Sequence, residues 1–142
     1  MDALFEMTSG RRTLRVAELR ELQTRARAGK AKISEVQSEV MRSAAETERR
    51  IGGVSSRAAR DYRRGFESTR PAFEEQMKLM EDYFTATDQL AEYLIRRQGH
   101  YSQTPNGLLF SRDGDAEAFN KQVDAISHLQ QKINSIRGSV GQ

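Results

Sequence analysis

The sequence predicts an all-α protein: an elongated antiparallel helical bundle, or coiled-coil hairpin, with a short β-hairpin before the last helix, in one domain over residues 1–142. Three observations carry that expectation. Apolar residues recur at steps of three and four along two long stretches and one shorter one, which is the period of a helix with one buried face. The composition is 37% apolar and 30% charged with only two prolines, which suits a narrow buried stripe on long helices better than a sheet covered on both faces. The strongest chain breakers, Gly52-Gly53 and Asn106-Gly107, fall between those stretches.

Residues 1–10 read as a loose arm that Leu4, Phe5 and Met7 can dock, with Thr8 or Ser9 as a hydroxyl cap for the first helix. From Arg11 to about Ile51 the pattern is helical. Leu19, Leu22, Ala26, Gly29, Ile33, Val36 and Val40 form a heptad seam, continued by the polar Ser43 and Thr47. The seam stays in phase across Gly29, so one unbroken helix is expected there. Gly52-Gly53 should end it, glycine taking a left-handed cap without steric cost. Ser55 or Ser56 can cap a second helix from about Arg57 to Gln98. Its face is Tyr62, Phe66, Thr69, Phe73, Met77, Met80, Phe84, Thr87, Ala91 and Leu94, and Pro71 should kink or break it near Thr69–Arg70. Gly99 closes it.

Asn106-Gly107 then predicts a two-residue hairpin turn with positive φ at both positions and arms 101–104 and 108–111. Leu108 or Phe110 must anchor those arms, because an isolated hairpin is marginal in water. Asp113 or Asp115 can cap a third helix running to about Arg137. Its apolar face is Phe119, Val123, Ile126, Leu129, Ile133 and Ile136, and the tail beyond it should fray. Short connections make neighbouring helices antiparallel. The third helix therefore covers only the end where the second stops and the first starts. The opposite end, around Val40 to Phe66, is left with two helices, to be mobile or completed by a partner or second copy.

Cysteine is absent, which excludes disulfides, thiolate nucleophiles and cysteine-based zinc sites. No run approaches the roughly 18 apolar residues of a membrane span. The start MDALFEMTSG shows no signal peptide, although a leader removed beforehand would leave the same start. Net charge is +3 but uneven: residues 1–70 carry 16 Lys/Arg against 10 Asp/Glu, and residues 71–142 carry 7 against 10. Either the basic half meets anionic partners or the halves attract each other on folding.

The leading candidate site is the arginine group at the two-helix end: Arg49, Arg50, Arg57, Arg60, Arg63 and Arg64. Arg57, Arg60 and Arg64 share one helical face by their spacing, and Arg63 and Arg64 adjoin Tyr62 and Phe66. Such a face suits phosphates. Glu46, Glu48, Asp61 and Glu67 dilute it, no helix-turn-helix, zinc finger or RNA-binding aromatic motif accompanies it, and a plain solvated face competes with the functional reading. A second candidate is a small-ligand groove at the hairpin end lined by Tyr83, Tyr93, Tyr101 and Phe110, with Phe84 nearby; core packing competes with it.

Asp113, Asp115 and Glu117 alternate somewhat like a calcium loop, with Asp124 further on, but Ala118 stands where the sharp turn needs glycine and the terminal bidentate glutamate is missing, so capping explains them better. His100 and His128 lack ligand spacing, and no phosphate-loop, dinucleotide or nucleophile-elbow pattern occurs. No cofactor or metal is expected, and no enzyme.

From Tyr62 to Ile136 the chain carries Phe66, Pro71-Ala72-Phe73, Leu90-Ala91-Glu92-Tyr93-Leu94, Asn106-Gly107-Leu108-Leu109-Phe110 and Phe119-Asn120. In these it resembles a family of uncharacterised Gram-negative predicted lipoproteins, over about half its length, without that family's acylated cysteine. The resemblance implies a periplasmic or cell-envelope location once a leader is removed; without it the expectation is cytoplasmic. The functional expectation is a helical interaction or structural protein that meets a protein partner or itself. The alternative is a nucleic-acid or anionic-surface binder using the arginine face.

Overall fold

The computed structural model describes residues 15–140, in the order α1 (Val16–Gly52), α2 (Ser56–Arg96), β1 (Tyr101–Thr104), β2 (Gly107–Phe110) and α3 (Asp113–Val140). At the helical rise these three helices are roughly 55, 60 and 40 Å long. Expectations for residues 1–14, including the docked arm, the Thr8/Ser9 cap and a start at Arg11, lie outside the described residues. α1 begins at Val16 after Arg15, whose side chain makes no cap bond.

α1 and α2 run antiparallel along each other. Gln23 reaches Asp88 and Glu92 at one end, and Glu48 reaches Arg63 toward the other. Gly29 lies inside the unbroken α1 for a packing reason. The Phe84 ring rests on its backbone so closely that a Cβ there would lie 2.6 Å from the ring's far carbon. Pro71 does not break α2, which is continuous from Ser56 to Arg96. The turn before the proline carries two extra bonds: Ser68 and Thr69 hydroxyls donate to the Gly65 and Phe66 carbonyls at 2.7 and 3.0 Å. With the ring exposed to solvent, the lost amide bond is tolerated without ending the helix.

The α1 seam holds at every apolar position from Leu19 to Val40, each buried or half-covered, and departs from expectation at Ser43. Ser43 is exposed and Ala44 is buried instead. A strict heptad drifts around a straight helix by about 20° per repeat, so over the three repeats from Leu22 to Ser43 the position turns by about 60° out of the interface and Ala44 takes its place. Gln23, next to the expected Leu22, is also buried, at 3% exposure.

The α1–α2 joint uses no left-handed glycine. Gly53 has φ −68°, and its N–H still bonds back to the Arg49 carbonyl. Val54 and Ser55 amides then both close on the Ile51 carbonyl, so the right-handed path already satisfies the helix end. Ser55 turns extended, and its Oγ accepts from the Ala58 amide at 3.2 Å, capping α2 as the sequence suggests. Among described residues, positive φ occurs only at Gly99 and Gly107.

The β-hairpin forms one residue out of the expected frame. Thr104 pairs with Gly107, which makes Pro105-Asn106 the loop. Proline's fixed φ is ready-made for the first central position of an ordinary turn, and it takes that place ahead of Asn106. Phe110 anchors the hairpin by stacking 5.2 Å from Phe119.

Neither Asp113 nor Asp115 is the N-cap of α3. Both sit inside its first turn, where their charge favours the positive end of the helix dipole, and the Arg112 carbonyl accepts the first amides. Instead of fraying after Arg137, α3 continues through Val140. It runs antiparallel to α2, tied by Arg97 to the Asp115 carboxylate at 3.0 Å and by the Tyr93 hydroxyl to the Asp115 carbonyl at 2.8 Å.

One core serves this end. Leu19, Leu90 and Leu94 are fully buried, with Tyr83, Ala91, Phe119, Ile126 and Ile133 around them. Tyr83 and Leu90 lie off the face expected for α2. They share the flank of Tyr93 and Arg97, which meets α3, while Phe84 and Asp88 share the flank that meets α1. α2 therefore has two buried faces here. Counted back from the Asp115 contacts at equal rise, α3 ends near the level of about residue 72 of α2. Beyond that level only two helices remain among the described residues.

Candidate functional site

The two-helix arm is where burial stops. No residue from Ala45 to Gln76 is buried. The inward residues Thr47, Ile51, Ala59, Tyr62, Phe66 and Phe73 are half-covered, because each helix can shield only one side of the other's stripe. At the root of the arm, beside the end of α3, Met41 and Phe73 line an open groove of about 420 Å³ together with Gln37, Arg70, Glu74, Lys78 and Glu81. Arg70 bonds Glu74 at 2.8 Å, and that bond, with Glu67 beyond, raises its pKa further.

All six candidate arginines sit on the arm and are exposed. Arg49 and Arg50 occupy the last turn of α1, where positive charge suits the helix dipole. Arg57 and Arg60 come at the start of α2, whose first turn holds no acid. There the same dipole opposes them, by about 0.3–1 kcal/mol for a charge in the first turn. Arg50 pairs with Glu46 at 2.7 Å, and Arg63 crosses to Glu48 on α1 at 2.6 Å. Arg49, Arg57, Arg60 and Arg64 form no ion pair among the described residues. From Arg49 through Arg60 there are four arginines and no acid.

The apex between them is Gly52-Gly53-Val54-Ser55, with Val54 92% exposed. Sequence reasoning singled out the arginines and missed Val54. Its exposure comes from the right-handed turn, which closes the Val54 amide inward and leaves the side chain on the crest.

Among the described residues, attraction between the two halves of the chain is satisfied away from the apex. Arg27 binds Asp88 at 3.1 Å, which raises its pKa. Glu92 is held below the usual glutamate range by the Gln23 amide first and Arg96 second. This Gln23–Asp88–Glu92 cluster was not legible in the sequence, since it depends on the register of two helices.

The four aromatic candidates do not line one groove. Tyr83 is in the core, edge-on to Phe84 at 5.7 Å. Tyr93 lies under the Arg97 guanidinium, 3.7 Å from its ring centre, and burial pushes its phenol pKa up. Tyr101 stacks on Phe110 at 5.5 Å, and Phe110 in turn on Phe119. Burial also raises the Tyr101 pKa, against a hydrogen bond from Gln98. Between Gly99 and Ser111, beside Tyr101 and Phe110, lies an open depression of about 260 Å³.

His100 and His128 are exposed. Among the described residues no three His, Asp or Glu side chains converge as metal ligands, and no helix is long and apolar enough to cross a membrane. No protein-family model, curated protein or solved structure matches the chain.

Proposed function

We propose that the protein is a non-enzymatic helical interaction protein, in which the three-helix base holds out a two-helix arm that associates with a second copy of itself. The supporting observation is the end of burial along the arm, with the Met41–Phe73 groove at its root. That groove has an apolar floor and carries Arg70 and Lys78 beside Glu74 and Glu81. A surface of both signs around an apolar strip is self-complementary across a two-fold axis.

Light scattering and small-angle X-ray scattering over a concentration series test this. The monomer's radius of gyration should be near 19–20 Å, a rough figure from the helix lengths, against about 14–15 Å for an ordinary compact chain of this size. Mass should rise toward that of a dimer with concentration, and Phe73→Glu should abolish the rise. A monomer at every concentration would overturn the proposal. An envelope setting belongs to this proposal through the resemblance alone, and cell fractionation tests it.

A second reading gives the arm's arginine end an anionic partner, nucleic acid or another acidic surface. It is favoured by Arg49, Arg57, Arg60 and Arg64 standing without acid partners among the described residues.

A further inference from the structure

We propose that the apex of the arm, the exposed Val54 with Arg49, Arg50, Arg57 and Arg60 on the helix ends either side of it, is a peripheral contact for an anionic lipid bilayer. The proposal rests on the reading that the arginine end takes an anionic partner, and it names that partner.

Two features of the apex belong together. The first is charge. Twelve consecutive residues, 49–60, hold four arginines and no acid, and among the described residues only Arg50 of the four has an ion pair. The second is an aliphatic side chain at the crest. Val54 is 92% exposed, far more than Val16, Met41 or Leu109. In water or against a phosphodiester strand that side chain gains nothing. In the headgroup layer its burial is favourable while the arginines beside it meet lipid phosphates and carboxylates.

The loop is also pre-shaped. Val54 and Ser55 amides both bond to the Ile51 carbonyl, at 3.0 and 2.8 Å, and the Ser55 hydroxyl caps α2. The crest is therefore presented without an ordering cost at the moment of contact.

The geometry is end-on. Two helices side by side offer a face roughly 20–25 Å wide, which suits a flat array of headgroups. Nucleic-acid modules instead lay a helix lengthwise in a groove or stack bases on outward aromatics. Here Tyr62 and Phe66 turn toward the α1 seam and are half-covered. Since no described helix can span a membrane, the contact is peripheral, and each arginine near an anionic surface contributes roughly a fivefold gain in binding.

The chain has no tryptophan, so Val54→Trp places a single reporter at the apex. The probes are vesicles of phosphatidylcholine with about 30 mol% phosphatidylglycerol, pure phosphatidylcholine vesicles, and a random-sequence DNA duplex, each at low and high salt. The expected result is sedimentation with the anionic vesicles only, reversed by salt, with a blue shift of the introduced indole's emission. In the otherwise natural chain, Arg49→Gln/Arg57→Gln/Arg60→Gln should weaken binding on the order of a hundredfold. Val54→Asp should weaken it too, and neutralising Arg25, Arg96 and Lys121 at the base should not.

Vesicle binding without a blue shift, or unaffected by Val54→Asp, would overturn the apex as the contact. Binding to the duplex but not to vesicles would overturn the lipid proposal while leaving the anionic-partner reading intact. No binding to either at low salt would end both.

Discussion

Gly29 and Phe84 form a contact whose energetic sign can be worked out before it is measured. In a helix interior, Gly→Ala ordinarily stabilises by about 1 kcal/mol, because alanine has less backbone freedom to lose. At Gly29, however, a Cβ would lie 2.6, 2.7 and 2.9 Å from three carbons of the Phe84 ring, when ordinary carbon contacts begin near about 3.5 Å. The ring must withdraw from the seam or α1 must bend away. Overpacking of this kind costs about 1–3 kcal/mol. Gly29→Ala should therefore destabilise by about 1 kcal/mol net, or a fall in Tm of about 3–5 °C for a chain of this length.

A double-mutant cycle separates the two contributions. With Phe84→Ala the obstacle is gone, and Gly29→Ala should then stabilise by about 1 kcal/mol, a coupling of about 2 kcal/mol between the two sites. Urea denaturation monitored by circular dichroism, on the four proteins of the cycle, reads both values. If Gly29→Ala stabilises equally in both backgrounds, the ring does not rest on that backbone and the reasoning is refuted.

Pro71→Ala should raise stability by about 1–3 kcal/mol, because α2 already continues through this exposed position and would regain an amide bond; a lower Tm would show that proline fits the local backbone better than a helix interior allows. Gln23→Leu should lower the Tm at neutral pH by removing the amide that donates to Asp88 and Glu92. Glu92 titrates below the usual glutamate range in the folded state, so its stabilising effect is present above that range and lost as pH falls through the depressed value. The Tm gap between Gln23→Leu and the natural chain should therefore narrow in acid, and a gap constant from neutral pH to about pH 3 would count against Glu92 as the responsible acceptor.

The helices, the hairpin and the order of elements were legible because each depends on residues close in sequence. Leu19, Ala26 and Ile33 repeat every seven, and all three are buried. The same holds for Phe119, Ile126 and Ile133. Ser55 announces its cap by residue type alone. The failures were also local in origin but decided by competition. Asn106-Gly107 advertises a primed turn, yet Pro105 claims the loop. Gly52-Gly53 advertises a left-handed cap, yet the right-handed turn already satisfies the Ile51 carbonyl. Pro71 advertises a break, yet an exposed proline backed by two hydroxyl bonds is carried inside the helix. At the candidate site the arginines were legible as a charge run, whereas their pairing was not. Glu48 on α1 claims Arg63 across the seam, and nothing in the order of residues distinguishes it from Arg64, which forms no such pair.

By itself the sequence determined that three amphipathic helices form and that the shortest can cover only one end of the other two. Periodicity and helix length are properties of a chain read one stretch at a time. The tertiary structure alone decided which polar residues become buried, as Gln23 does, which flank of α2 belongs to α3, and which arginines stay unpaired. It also decided that Val54 stands out at the crest. The burial of Gln23, the flank given to α3 and the pairing of the arginines depend on how the helices are registered, through contacts as far apart in the chain as Gln23 and Asp88, and register is set by the summed packing of the whole interface rather than by any one segment.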